Sequence, residues 1–400
     1  MVQKLLAVSL VAGLVGFNLW WYWRDTRPVE GLGAIEEMIG RQQYVQAEAA
    51  LRERLRLSPH ESETRIALGR VLAARGDLLA CARELDRVPY WSPRKAEAQF
   101  REAQAFLMAD RARDAEAVFL ALLDGDPLHP PEPGLYHDAS QELLKIYATE
   151  NRWEDFYSVI WKAHDHAAPQ DRPRMLAMRI RCELDRVAPA ESIKVLRRYV
   201  AADAADFEAL RALANAELAV GQKAEAVRDM EACLRSRPED SRAWRDYLTM
   251  LQSLGEVDVF NAALARVPAA AEVEPEIWMF RGQAREREGD WPGAAEHLRR
   301  ALELNPNLLN ARYRLAIIED RLGHREQSAA HRKRWQELLD ARTQLRQADA
   351  EYQAALAAAS RPGTSSGPPL RASIKRLASI CDTLGWSRAA EGWNRVAASM

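Results

Sequence analysis

Cysteine, aromatic residues and an excess of charge of either sign are all scarce in this 400-residue chain. The four cysteines are far apart and form no CxxC pair, which argues against a zinc module and against a disulfide framework. Lys and Arg number 56 against 58 Asp and Glu, so the formal net charge is −2. Such a balance gives no sign of the concentrated basic face that nucleic-acid binding needs. We expect no cofactor, no nucleic-acid partner, and buried free thiols at Cys81, Cys182, Cys233 and Cys381.

Recognisable catalytic motifs are missing as well. The chain has no Gly-rich phosphate loop, no HExxH and no kinase-type motif set, and Ser365-Ser366-Gly367 lies in a linker. The strongest candidate for chemistry is His164-Asp165-His166. A zinc site needs three or four converging ligands, and residues two apart point to different faces of a helix. We interpret these histidines as solvated and Asp124-Gly125-Asp126 as a turn. The protein is therefore predicted to be neither an enzyme nor a metal protein.

The apolar residues follow a helical pattern, most clearly between Pro275 and Leu308. Hydrophobic residues make up 48% of the chain and aromatics 8%, which is typical of Ala/Leu-rich packed helices. Gly289-Asp290 is predicted to end one helix and to cap the next. An apolar stripe with small residues follows at spacings of three and four. The residues that mark the two helices are Trp278, Gly282, Pro292, Ala294, Leu298, Ala301 and Pro306.

This segment resembles the tetratricopeptide repeat (TPR), a 34-residue helical hairpin. The period recurs on both sides, with units starting at Phe207 and Ser241. One hairpin cannot bury its own apolar stripe, whereas stacked hairpins form a continuous core. The resemblance implies an all-α fold, a right-handed TPR superhelix (an α-solenoid of helical hairpins), with about nine repeats over residues 28–342. Earlier in the chain the same 34-residue period is marked by Pro59, Pro93 and Pro127.

Three further segments interrupt or extend this array. The insertion PPEPGLY at 130–136 breaks the phase, and we expect it to kink the superhelix or to form a loop over its groove. No Gly or Pro occurs between 324 and 360, so residues 343–360 are predicted to form a helical extension that caps the array or pairs with another chain. A flexible linker at 361–369 leads to a terminal TPR-like hairpin at 371–400, which either docks on the array or stays mobile.

The N-terminal residues 1–27 are predicted to be a single-pass membrane anchor. Residues 5–23 carry no charge and span about 28 Å as a helix, close to the hydrocarbon thickness of a bilayer. Aromatic residues at 20–23 suit a headgroup boundary and leave no small-residue site for signal cleavage. The flanking positive charges are nearly balanced, so we favour an extracytoplasmic (periplasmic) body and keep a cytoplasmic one as the alternative. The oligomeric state stays open.

The TPR resemblance also implies where partners bind, because first-helix positions that face inward grip extended peptides. Arg211 and Asn215 are residue types that the TPR carboxylate clamp uses for a terminal carboxylate, but Asp246 stands where that clamp has Asn. We predict a partner-binding face in which substituting Arg211 and Arg245 weakens capture but hardly lowers the melting temperature. Its residues are Glu208, Arg211, Asn215, Arg242, Arg245, Glu276, Met279 and Gln283.

An N-terminal anchor followed by TPRs is similar to the layout of the bacterial lipopolysaccharide-assembly TPR proteins, although this chain lacks their zinc module. The first functional hypothesis is a membrane-tethered TPR scaffold or adaptor, which binds protein or peptide partners and assembles them at the membrane. The alternative is an accessory or regulatory subunit of an envelope enzyme that handles glycans or lipids. A second alternative is an unrecognised hydrolase or metal protein.

Overall fold

The computed structural model describes residues 31–125, 131–359 and 367–400. Regular structure in these ranges consists of 20 α-helices and one 3-10 helix, without a strand, which confirms the predicted all-α fold. None of these helices is both long and apolar enough to cross a bilayer. The predicted anchor at 5–23 lies outside the described residues.

The helices are short and follow one another closely. The first ten are α1 (Leu32–Gly40), α2 (Tyr44–Leu57), α3 (Ser62–Ala74), α4 (Leu78–Asp86), α5 (Lys95–Met108), α6 (Ala112–Asp124), α7 (Pro133–Thr149), α8 (Trp153–His166), α9 (Arg172–Leu184) and α10 (Pro189–Ala202). The others are α11 (Phe207–Ala219), α12 (Lys223–Ser236), α13 (Ser241–Leu254), α14 (Val257–Ala265), the 3-10 helix (Ala269–Val273), α15 (Pro275–Glu288), α16 (Trp291–Leu304), α17 (Leu309–Arg321), α18 (Arg325–Ala359), α19 (Gly367–Thr383) and α20 (Ser387–Ala398).

The chain divides into two compact units. The first contains the described residues up to Tyr147 together with Arg198–Asp206. The second contains Ala148–Arg197 and Phe207–Met400. In each unit, most consecutive helices pack against each other along the chain, as short connections between antiparallel neighbours favour.

The pairing of α15 with α16 shows how the sequence pattern becomes structure. Gly289 ends α15 in the left-handed region with φ of 80°, where a side chain would be strained. The Asp290 side chain then accepts a hydrogen bond of 3.0 Å from the Gly293 N–H, as the predicted cap requires. A Cβ on Gly282 would lie 2.9 Å from Cγ of Leu298. The absent side chain therefore allows the two helices to approach closely.

The predicted insertion at 130–136 is partly helical. Residues 133–136 form the first turn of α7, in which Tyr136 is buried. Residues 131 and 132 precede the helix without regular structure, and residue 130 lies outside the described ranges. Of the two structures considered for this insertion, the loop over the groove does not form at residues 133–136, which are helical.

The four cysteines are all free thiols, as predicted. Cys81, Cys233 and Cys381 are buried, whereas Cys182 is only partly buried, which corrects the expectation for that residue. Burial raises the pKa of Cys81 to about 11 and that of Cys182 to about 12. Because the thiolate is the nucleophile, these side chains are poorly reactive near neutral pH.

The C-terminal hairpin of α19 and α20 packs on α18 and on α9 within the second unit. Trp393 is fully buried, and its ring centroid lies 5.0 Å from that of Tyr352. A Cβ on Gly392 would lie 2.8 Å from Cδ2 of Leu176. The apolar seam of α18 is thus covered by helices of its own chain. Its buried residues are Leu338, Ala341, Leu345, Ala348 and Tyr352.

A buried arginine strengthens this closure. The Arg179 guanidinium lies 3.5 Å from the ring centroid of Tyr157 and 4.0 Å from that of Trp386. It also donates a hydrogen bond of 3.1 Å to Glu183. Trp386 belongs to the connection between α19 and α20, so the cation–π contacts join the hairpin to α8 and α9.

The first unit contains a buried carboxylic acid, Glu102 of α5, whose side chain is 6% exposed. Burial and the nearby Asp86 raise its pKa from 4.5 to about 7, against the opposing effect of Lys95. The folded state therefore holds this proton more tightly than the unfolded chain does. The stability that follows is fully present below about pH 4.5 and is lost as the pH rises to about 7.

Glu102→Gln should remove this loss of stability. We expect the free energy of unfolding of the variant, relative to that of the unsubstituted protein, to rise by on the order of 2–3 kcal/mol as the pH increases from 4.5 to 8. The measurement is the free energy of unfolding in urea at several pH values. Glu53→Gln, at an exposed position of α2, controls for the loss of a carboxylate. An equal free-energy difference at all pH values would contradict the prediction.

Gly392→Val should loosen the C-terminal hairpin. The added side chain must displace Leu176, and overpacking of this kind costs about 1–3 kcal/mol. We expect faster amide hydrogen exchange in α20 and α9, measured by mass spectrometry. The matched control is Glu391→Val, at the exposed neighbouring position, which adds the same side chain without the clash. Equal exchange in the two variants would show that the hairpin does not depend on this contact.

Candidate partner-binding site

The eight residues predicted to bind a partner lie on α11, α13 and α15, the first helices of three consecutive units. The 34-residue spacing places corresponding positions beside each other, so several of these side chains meet across neighbouring helices. Arg211, Met279 and Gln283 are buried. The other five are partly exposed: Glu208, Asn215, Arg242, Arg245 and Glu276.

Arg211 is the centre of this group, with only 3% of the residue exposed. Its Nη1 donates to Oδ2 of Asp246 at 2.5 Å, and its Nη2 donates to Oε2 of Glu208 at 3.0 Å. Asn215 donates to the same Asp246 oxygen at 2.8 Å. The guanidinium and amide that could hold a ligand's carboxylate therefore hold a carboxylate of their own chain.

The same contacts continue to both sides of Arg211. Arg242 donates to Oε1 of Glu208 at 2.6 Å, and it also reaches Asp155 of α8 at 3.4 Å. Arg245 donates to Asp246 at 3.2 Å and to Glu274, just before α15, at 2.9 Å. We call this alternating series the ion-pair chain. Its members in order are Asp155, Arg242, Glu208, Arg211, Asp246, Arg245 and Glu274.

The pKa shifts follow from this alternation of charge. Burial acts to lower the pKa of Arg211, but the carboxylates of Asp246 and Glu208 outweigh it, so that the pKa is raised. The pKa of Arg245 is raised in the same way by Asp246 and Glu274. Glu276 differs, because burial raises its pKa despite the nearby Arg245. Arg211 and Arg245 thus stay protonated, and their contacts join the first helices of successive units.

The two remaining predicted residues also have internal roles. Met279 is 4% exposed and belongs to the apolar core of α11–α17. Gln283 is 4% exposed and accepts a hydrogen bond from the side-chain amide of Gln252 on α13. The structure therefore brings the predicted residues together, but it connects most of them to each other or to the core.

A cleft that the repeat pattern does not indicate lies between α17 and α18. It has a volume of about 480 Å³. Tyr313 is 49% exposed there, and its ring centroid lies 5.3 Å from that of Trp335. The sequence feature that could have indicated this cleft is the basic run His331-Arg332-Lys333-Arg334, which directly precedes Trp335. The residues that line the cleft are Tyr313, Ala316, Ile317, Arg332, Lys333, Trp335 and Gln336.

The histidines at the end of α8 have ordinary partners. His164 is 6% exposed, which corrects the interpretation that it is solvated, and its Nδ1 lies 3.1 Å from Oδ1 of Asp165. His166 is exposed, with Nδ1 2.9 Å from the carbonyl oxygen of Lys162. Within the described ranges, no group of three or more His, Cys, Asp and Glu is arranged to hold a metal ion.

Two parts of the second unit match models of the tetratricopeptide repeat, at residues 211–259 and 275–318. These matches contain most of the ion-pair chain and the α15–α16 pair, and they support the interpretation as a TPR protein. No curated protein matches the chain.

Solved structures of MamA are similar to part of the chain. MamA from Desulfovibrio magneticus RS-1 is 21% identical, with 43% of this chain and 95% of that chain covered and a TM-score of 0.33. MamA of MSR-1 is 20% identical, with 44% and 98% covered and a TM-score of 0.31. At these identities and TM-scores, the similarity carries no argument about function.

Arg211→Ala should destabilise the second unit, contrary to what the sequence pattern suggested. The substitution removes the cation that Glu208 and Asp246 share, while Arg242 and Arg245 still contact these carboxylates. Removing one partner from a buried charged hydrogen bond in this way costs about 1–3 kcal/mol. The measurement is denaturant unfolding followed by tryptophan fluorescence. Arg235→Ala, on the exposed side of α12, is the matched control and should change stability by less than about 0.5 kcal/mol. Similar values for the two variants would show that the ion-pair chain contributes little.

Proposed function

We propose that this protein is a membrane-tethered TPR scaffold or adaptor, which binds protein or peptide partners and assembles them at a membrane surface. The observation that carries the proposal is the pair of TPR matches at 211–259 and 275–318, which coincide with closely packed helical hairpins. Repeats of this kind create extended surfaces for binding, and no part of that architecture requires catalysis. The proposal therefore assigns the chain a binding role and no enzymatic one.

The membrane part of the proposal is supported by sequence alone. The uncharged run at 5–23 is long enough to span a bilayer, and only eight residues separate it from the start of α1 at Leu32. Confinement near the membrane raises the effective concentration of partners, so that weak individual contacts suffice for assembly. We propose a single-pass protein with a periplasmic body, and a cytoplasmic body is the alternative.

The anchor should keep the full chain in the membrane. We expect the protein to remain in the membrane pellet after an alkaline carbonate wash, because a spanning helix resists extraction that removes peripheral proteins. A version without residues 1–27 should be found in the soluble fraction and serves as the control. Release of the full chain by carbonate would refute the tether and leave the binding role to be tested separately.

Partner identity is tested by crosslinking in native membranes followed by pull-down of the full chain. If the protein is a scaffold, the pull-down should recover several different protein partners, each in a smaller molar amount than the scaffold itself. Recovery of one enzyme in a fixed ratio would instead favour the accessory-subunit hypothesis. The matched control is the version without residues 1–27, which loses the confinement but keeps every helix described above.

A further inference from the structure

The cleft between α17 and α18 departs from the repeat pattern at two positions. Trp335 and Arg332 lie one 34-residue period after Ala301 and Leu298. Ala301 and Leu298 are fully buried in the core of their unit. Arg332 is exposed and Trp335 is partly exposed. Residues that hold the earlier hairpin together are thus replaced by a cation and a large aromatic ring at the surface.

The contacts of α18 explain how this change is accommodated. Ser328 donates a hydrogen bond of 2.7 Å to the carbonyl oxygen of Ala316, and His331 lies 3.3 Å from Arg312. These residues face α17, while residues further along α18, from Leu338 to Tyr352, are buried in the core that it shares with α19 and α9. Trp335 therefore lies at the edge of the α17–α18 contact, where its ring and that of Tyr313 form an apolar wall.

The charges at the cleft are positive. Arg332 and Lys333 line it, and the other lining residues carry no acid. Arg332 pairs with Asp320 at 3.5 Å, but both side chains are more than half exposed, and an ion pair of this kind is weak. Lys333 has no ion pair or hydrogen bond with the residues that the structure describes.

The neighbouring basic residues add little to this charge. Burial and the nearby Arg312 lower the pKa of His331, so that the ring is neutral near pH 7. Arg334 is turned toward the C-terminal hairpin, where it donates to the carbonyl oxygen of Thr383 at 2.7 Å. The cation that the cleft presents to a ligand is therefore Lys333, with Arg332 beside it.

We propose that this cleft binds an acidic segment of a partner protein, with one large apolar side chain packed against the rings of Tyr313 and Trp335. The carboxylates of that segment contact Lys333 and Arg332. A volume of about 480 Å³ suits one such side chain and its flanking backbone. Half-exposed aromatic rings gain from being covered. The inference rests on the proposed function, because a scaffold supplies the class of ligand.

Charge complementarity selects this occupant. A ligand with only apolar groups would leave Lys333 beside a dehydrated surface without a counter-charge, which is unfavourable. A basic segment would be repelled by both cations. In an acidic segment with an apolar anchor, the anchor covers the two aromatic rings and the carboxylates pair with the two cations. A central apolar anchor with a polar rim is the arrangement typical of protein interfaces.

The test uses the full chain in lipid nanodiscs and three fluorescein-labelled peptides. EDEWEDE carries both the acidic charge and the anchor, KRKWKRK reverses the charge, and EDEGEDE lacks the anchor. We expect anisotropy titrations to show saturable binding of EDEWEDE, about tenfold or more tighter than that of either other peptide. Raising the salt concentration should weaken it. Equal binding of EDEWEDE and EDEGEDE would overturn the proposal.

Two variants locate the binding at the cleft. Lys333→Glu should weaken binding of EDEWEDE about tenfold, and Tyr313→Ala about fivefold. Lys375→Glu, at an exposed position of α19, makes the same charge reversal elsewhere and should leave the affinity within about twofold. An unchanged affinity in Lys333→Glu would overturn the proposed site. Light scattering that shows a dimer broken by Tyr313→Ala would also overturn it, in favour of a second copy as the occupant.

These outcomes are separable from the fate of the proposed function. If EDEWEDE does not bind while the native-membrane pull-down recovers partners, the scaffold stands and the cleft is not its acidic-segment site. If EDEWEDE binds at the cleft while the pull-down recovers one enzyme in a fixed ratio, the cleft stands and the accessory-subunit function replaces the scaffold.

Discussion

The close approach of helices within a hairpin is the constraint on which the repeated part of this structure depends. At Gly282 there is no space for even one additional carbon beside Leu298. The small side chains of Ala294 and Ala301 are fully buried around the same contact. Two helices held this closely expose a continuous apolar stripe, which only a neighbouring hairpin can cover. Small residues therefore recur in the repeat pattern because the two helices of each hairpin must lie close together.

The ion-pair chain follows from the same geometry. When successive hairpins are stacked, their first helices lie beside each other, and polar residues at equivalent positions come within hydrogen-bond distance. Here Arg211 lies between Glu208 and Asp246, and Arg245 lies between Asp246 and Glu274, so each of these two cations has a carboxylate on each side. The residue types on this face suit ligand binding, but their polar groups are paired with one another. Arg211→Ala, which breaks this pairing, is therefore predicted to lower stability.

The candidate site was predictable only in part. The period indicated that α11, α13 and α15 are neighbours, and the resemblance to the TPR carboxylate clamp implied that Arg211 and Asn215 hold a carboxylate. The period could not show that the carboxylate belongs to Asp246, because side-chain pairing across helices depends on distances that the period does not contain. The cleft at Tyr313 and Trp335 was missed for a related reason. Its residues depart from the repeat pattern. From sequence alone, such a departure is read as a divergent repeat, because the position of the neighbouring helix is not known.

The amino-acid sequence was sufficient to predict the all-α fold, the repeat period, the cap at Asp290 and the free thiols, because each follows from local geometry or from the spacing of residue types. The packing of α18 and the C-terminal hairpin on α9 could be learned only from the folded structure, since that contact joins Leu176 to Gly392 across more than two hundred positions of chain. The folded structure also decided which polar residues are paired internally and which, such as Lys333, face a cleft. Burial and pairing are properties of three-dimensional neighbours, and no local pattern records them.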